Sequence, residues 1–506
     1  MGNLRGTSMS ARKGKSKKSK TLLKRVADMG RLVAEEDPNL RNYYVGREFY
    51  LDRALEIDDP LVFYMGPKGI GKSAVLQMVR LEKAHDEKRI INISPDDLAF
   101  SALANLKLES PILTDVGKGQ WLFKSLWDYV LLMELWEREN SGSQDILTGF
   151  KKLFRSKDEK RIQKLFKITI TEEGNPITFT DRILQLIKEV EISAQSNNIE
   201  VSGKLKLDYD VTGQFQLLSE INHAVKTLPG MLRNEYYVLI DDLDLYWDNE
   251  PNQNAFIAAL FLSLRRLSHR PVKFIVSIRE DIYRCLPLAD KDKSRDRLCR
   301  MKWDLDCVRE MLEKRIITTM KCKSTEIWGD LFPKSCFDIL AKHSTKKPRE
   351  LIRLVGLCVS CAVSNGHKRV LEMDITEALR QYSIERIGDL ASEFRFVYPG
   401  LDVVLQKFYG KQKEFAFKTI DNIATELALD ALDHGNMGMP WQWAGGFDDR
   451  AEDFARFLLD LGFLQIKVNR TALPEAYNPD QMGSICPSMW FAVHPMYAPG
   501  LRLLGT

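Results

Sequence analysis

No stretch of this 506-residue chain approaches the ~20 consecutive apolar residues that a membrane-crossing helix needs, and no apolar core follows the N-terminus as in a secretory leader. A soluble protein of the cytoplasm, with no membrane partner, is the expectation. Met1-Gly2 lacks the Ser or Thr at position 6 that myristoylation wants; Gly6 stands there. Cysteine is sparse for the length: eight residues, at 285, 299, 307, 322, 336, 358, 361 and 486, cannot form the dense disulfide framework of a small secreted domain, and reduced thiols are expected. Cys358 and Cys361 have C-x-x-C spacing, but no second pair lies nearby and both fall in the helix-like run 351–363, so buried helical thiols outweigh a metal or redox site. Acid is missing from residues 1–25, which hold nine Lys or Arg. The formal net charge is +4, so the rest of the chain carries −5. Such a tail reads as disordered, and it suits nucleic acid, acidic protein or anionic lipid as well as a merely solubilising role.

Apolar residues make up 44% of the chain, enough for large cores and two to four domains. The apolar run Leu61-Val62-Phe63-Tyr64 leads into Gly66-Pro67-Lys68-Gly69-Ile70-Gly71-Lys72-Ser73, and Ala74 to Arg80 then reads as a helix. A G-x4-G-K-S loop between strand and helix is a phosphate-binding loop. Glycines at 66, 69 and 71 let backbone N–H groups curl around a phosphate, and the helix N-terminus points its positive end at the same anion. Lys72 is expected to reach the β- and γ-phosphates, and the Ser73 hydroxyl to be a magnesium ligand.

A second acidic site is needed for hydrolysis. Tyr236-Tyr237-Val238-Leu239-Ile240 is an unbroken apolar run, as in a central parallel strand, and it ends in Asp241-Asp242. Asp241 is placed to hold magnesium and Asp242 to orient or deprotonate the attacking water. Asp244 and Asp248, which follow, read as solvated loop carboxylates. The run Val272 to Ile278 is another buried strand, ending in Arg279-Glu280-Asp281. Arg279 is a candidate γ-phosphate sensor; an arginine paired with Glu280 or Asp281 at a strand end reads equally well. Arg349, in the first turn of a helix begun by Pro348, sits where the helix dipole disfavours a cation, which suggests service to an external anion such as ATP phosphate. Arg265, Arg266 and Arg270 are candidate fingers for a neighbouring copy, or a solvated basic face.

Along the chain we expect a basic disordered tail at 1–40, a P-loop core at 41–300 with an insertion at about 104–215, a helical lid at 301–395 and a last domain at 396–506. The insertion should carry an amphipathic helix with Trp121, Phe123, Leu126, Trp127, Val130 and Leu131, and a small hairpin around 199–209. In the last domain, helices at 421–432 and 451–461 precede two strands at 462–468 and 489–495. His494, in the second of them, reads as a packed structural histidine.

The ordered set Val45-Gly46-Arg47, the glycine loop, Leu239 to Asp244, Ser277 to Ile282, Trp303-Asp304 and Lys347 to Ile352 resembles the bacterial P-loop ATPases of the STAND and KAP group, and within it a soluble subfamily often carried beside phage-defence effectors. The resemblance spans roughly 41–506 and implies an AAA-like α/β core with a parallel sheet, a helical lid and a C-terminal winged helix. It also implies ATP with Mg2+, and nucleotide contacts from Arg279 and from Arg349. Adenine is taken from the resemblance, in keeping with the absence of a guanine-specific N-K-x-D motif.

Two departures matter. Asp242 stands where many fast ATPases have the longer Glu, pointing to slow, switch-like turnover, and the insertion is unlike a minimal AAA core. From 396 onward nine Lys or Arg face thirteen Asp or Glu, a poor match for DNA phosphates, so the last domain is expected to contact protein. The leading expectation is an ATP-dependent switch that self-associates or docks an effector. The alternatives are a nucleic-acid motor or loader anchored by the basic tail, and a nucleotide-binding scaffold without hydrolysis.

Overall fold

The computed structural model describes residues 29–94, 116–140, 158, 161–162, 165, 211–245, 247, 249–288, 291–320, 327–395, 397–433, 439–477 and 485–505. They pack as two compact units, Val33–Lys302 and Trp303–Thr506, the latter taking in residues 29–32. The expected hairpin around 199–209, most of residues 151–164 of the insertion and Asp248 lie outside the described residues.

Five parallel strands form the sheet of the first unit: β1 (Phe63–Met65), β2 (Ile90–Ile93), β3 (Tyr236–Ile240), β4 (Val272–Ile278) and β5 (Leu298–Arg300), in the spatial order β2-β3-β4-β1-β5. Every residue of β1, β3 and β4 is buried, which is why β1 and β3 read as unbroken apolar runs and β4 departs from one only at Lys273 and Ser277. Met65 pairs with Ile278, and Ile240 with Val276, so the chain leaves β1, β3 and β4 along one edge of the sheet. That edge carries the glycine loop, Asp241 and Arg279. Crevices outside the carboxyl ends of parallel strands are where such sheets bind ligands.

The expected insertion helix is present as Val116–Asn140. It is not amphipathic over its described middle: Phe123, Leu126, Trp127, Tyr129, Val130, Leu131 and Leu132 are all buried, as is Asp128. A helix apolar all round belongs inside a core. Its partner is the helix Pro251–Leu267, where Trp127 stacks on Phe256 at 4.6 Å between ring centroids and donates Nε1–H to the Phe256 carbonyl at 2.9 Å. Ser263 of the same helix donates to Asp128 at 2.5 Å, and Lys124 pairs with that carboxylate.

The second unit begins with helices Leu305–Met320, Cys336–Lys342, Pro348–Ser364 and Glu372–Glu393. Cys358 and Cys361 are buried on the third of these. Buried Arg315 donates to the Met29 carbonyl at 3.0 Å and ties residues 29–31 to the first. A helix Leu401–Gln406, strand β6 (Glu414–Ala416), helices Phe417–Asp433 and Ala451–Asp460, and strands β7 (Leu464–Lys467) and β8 (Trp490–Val493) follow. The sheet has three antiparallel strands, β6-β8-β7, where the sequence pointed to two; β6 is only three residues long. His494 is packed as expected, its Nδ1 accepting the Met496 N–H at 3.1 Å.

Candidate nucleotide-binding site

The three glycines of the loop are needed for different reasons. Gly69 (φ 82°) and Gly71 (φ 105°) hold left-handed backbone that side chains resist. Gly66 has no such angle, but a Cβ there would come within 3.0 Å of Ile70 Cγ2. Its N–H donates to the Ile278 carbonyl at 3.2 Å, fastening the loop to the end of β4. Ile70 is buried, Pro67 and Ala74 are half-buried, and Lys68 is exposed.

Helix Lys72–Glu82 starts directly after the loop. Lys72 is 8% exposed and folds back across the loop, its ammonium donating to the carbonyls of Gly66 at 2.9 Å and Pro67 at 3.1 Å. Burial lowers its pKa to about 8; Asp244 and then Asp241 oppose that shift, and Arg279 adds to it. Asp241, at the end of β3, is also buried. Burial raises its carboxyl above the ordinary range, against hydrogen bonds from the Ser277 and Ser73 hydroxyls and the Asp242 N–H. Ser73 and Asp241, the two expected magnesium ligands, therefore lie close enough for the hydroxyl to favour the ionised carboxylate.

Asp242 is exposed and left-handed (φ 59°), a conformation that aspartate tolerates better than most residues. Ser94, just past the end of β2, donates to its Oδ2 at 2.9 Å. Arg279 is gripped by both oxygens of Asp281, with Nε at 3.0 Å from one of them, while Nη1 lies 3.7 Å from Asp244 Oδ2. The reading of Asp244 as a solvated loop carboxylate is thus corrected. It is half-buried, faces Arg279 and is the acid that acts most strongly on Lys72. Sequence reasoning also passed over Ser94 and Ser277, whereas the pairing of Arg279 with Asp281 was one of the two readings it offered. Ser277 had left a signal, as a polar residue in an otherwise apolar strand tip beside the acidic strand.

Two finger candidates have partners within their own unit. Arg266 donates to Asn222 at 3.2 Å, and Arg270 binds Asp58 at 3.2 Å and Glu235 at 2.7 Å. Arg265 is exposed. Arg349 belongs to the second unit, where it is exposed in the first turn of Pro348–Ser364. The turn before it is locked by buried Glu350, which accepts the N–H and hydroxyl of Thr345 at 2.7 and 2.8 Å.

The cradle fits a nucleotide's phosphates with a magnesium ion. Glycines stand where a Cβ would strain or clash, a buried lysine lies over the loop, and a serine hydroxyl meets a buried carboxylate. Sheet, loop and acidic strand end define the class: this is an α/β protein with the parallel sheet of a P-loop nucleoside triphosphatase.

Residues 306–391 match the model of a FunZ-associated C-terminal helical domain. The chain is similar to a putative transposon gamma-delta 80.3 kDa protein of Escherichia coli (strain K12), 22% identical over 379 residues, which cover 72% of this chain and 51% of that protein. It thus spans about half the length of that curated relative. Among solved structures, the Aeropyrum pernix ORC1 protein in complex with DNA aligns over 93% of this chain and 96% of its own, at 11% identity and a TM-score of 0.38. The Aeropyrum pernix ORC2 protein, in ADPNP–ADP complexes, aligns over 90% of this chain and 91% of its own, at 12% identity and a TM-score of 0.35. Among the described residues no helix is long and apolar enough to cross a membrane.

Proposed function

We propose that the chain is an ATP-binding, slowly hydrolysing ATPase that works as a conformational or assembly switch. The observation that carries this reading is the convergence of Lys72, Ser73 and Asp241 at the mouth of the glycine loop. The loop N–H groups and Lys72 hold the β- and γ-phosphates; Ser73 and Asp241 hold magnesium, which neutralises phosphate charge. Asp242 orients the attacking water and takes its proton. Its short side chain and its bond to Ser94 both favour slow turnover. Arg279 senses the γ-phosphate, and Arg349 is assigned a nucleotide contact from the resemblance. The acidic last domain, read as a winged helix, serves as a protein contact for a second copy or an effector, and a role in phage defence rests on the resemblance alone.

The test is magnesium-dependent turnover of ATP and GTP by the full chain and its Lys72→Ala variant. We expect slow ATP hydrolysis that falls by at least about a hundredfold in the variant. Tight binding with no turnover would make nucleotide a structural ligand, and turnover untouched by the substitution would sink the reading. A second reading, a nucleic-acid motor or loader, is favoured by the acid-free tail with its nine cations.

A further inference from the structure

We infer that Asp281 and Asp244 set how strongly the site prefers a nucleoside triphosphate to a diphosphate, by competing with the γ-phosphate for Arg279. The inference rests on the nucleotide reading above. Arg279 follows Ile278, whose carbonyl holds the first N–H of the glycine loop, so the residue stands at the edge of the cradle, and its charge acts on Lys72. It is not poised open. Its side chain is 18% exposed and lies between two carboxylates that are more exposed than itself, Asp281 at 52% and Asp244 at 34%. Asp281 takes two of its nitrogens and Asp244 faces the third.

A triphosphate brings its extra charge to the end of the cradle that Lys72 reaches. To meet that charge, Arg279 must exchange at least part of its carboxylate pairing for phosphate oxygens, and Asp244, which faces Arg279 and acts on Lys72, repels the same group. A diphosphate makes neither demand. The two carboxylates therefore weaken triphosphate binding selectively and set the concentration at which the site responds. An ordinary arginine at a strand end needs one carboxylate partner; here two, from different segments, converge on it.

The experiment compares the affinity of the full chain for a non-hydrolysable ATP analogue and for ADP, both with magnesium, by calorimetry. Asp281→Asn keeps the side-chain shape at an exposed position, and its melting temperature reports that it folds. We expect Asp281→Asn to tighten the triphosphate roughly threefold, the scale of a part-exposed ion pair, with ADP unchanged. The double variant with Asp244→Asn should shift further, and Arg279→Gln should erase the effect of both. Equal shifts for the two nucleotides, or weaker triphosphate binding, would overturn the inference; the latter would mark the acids as direct ligands of the magnesium nucleotide. Wild type that binds neither nucleotide, or binds both as well after Lys72→Ala, would remove the nucleotide reading itself. Lys72-dependent binding with an unchanged ratio removes only the role of the two acids.

Discussion

Single residues in both units are held in states that their side-chain chemistry does not choose in water. His494 is mostly buried, and burial outweighs the pull of Glu350 to bring its pKa down to about 4, with His343, Lys347 and Lys413 adding to the fall. Its Nδ1 accepts the Met496 N–H, which only the unprotonated ring can do. Between pH 4 and 6.5 the unfolded chain binds a proton at this position that the folded chain refuses. The contribution to stability is therefore complete above pH 6.5 and disappears as pH falls toward 4, to the extent of about 3 kcal/mol. His494→Asn, which keeps an acceptor but cannot titrate, should flatten the acid side of a denaturation series; a slope identical to wild type would refute the assignment. At this scale the glycine loop was readable because each glycine answers a local backbone or steric need. Asp244 was not: the spacing of Asp241, Asp242 and Asp244 gives no sign of which carboxylate turns toward Lys72.

Elements were legible in proportion to how evenly they are buried. β3 and β4 are covered on both faces and announced themselves, β3 as an apolar run and β4 as one broken only by Lys273 and Ser277, whereas β5, a half-exposed edge strand of three residues, left no pattern in Leu298-Cys299-Arg300. The long helix Glu372–Glu393 falls in the stretch expected to be helical, 301–395, but its own bounds were not legible: charges interrupt its apolar stripe, and only Ile375, Ala378, Leu379, Tyr382, Ile387 and Leu390 mark the buried side. The insertion helix had no assigned role in the sequence, and the structure gives it one as half of the core pair with Pro251–Leu267. That pair has a measurable weight. Phe256 is fully buried, stacked on Trp127 and edge-on to Phe123 at 5.9 Å, so Phe256→Ala should cost about 3–5 kcal/mol in urea denaturation followed by tryptophan fluorescence. A loss under about 1 kcal/mol would mean that the insertion helix is not part of the cooperative core.

For the whole molecule, the distribution of charge matters more than its sum. Polyanion binding depends on neutralising phosphates, and beyond residue 25 the chain is net acidic. Deleting residues 1–25 should leave nucleotide binding unchanged and abolish any salt-sensitive DNA binding, read by fluorescence anisotropy across a salt series. Salt-sensitive binding lost with the tail, together with DNA-stimulated turnover, would favour the motor reading, and DNA binding retained by the truncated chain would place the contact elsewhere. The sequence by itself determined the class of fold and the principal cradle, because a glycine loop, a buried lysine and an apolar strand ending in acids are local requirements written in adjacent residues. Only the tertiary structure decided what stands opposite them. Parallel pairing brings Ser277 alongside Asp241, the end of β2 delivers Ser94 to Asp242, and Arg279 is closed between Asp244 and Asp281. Apart from Asp281, two residues from Arg279, these partners lie tens to more than a hundred residues apart in the chain, and strand register, not sequence proximity, sets their distances.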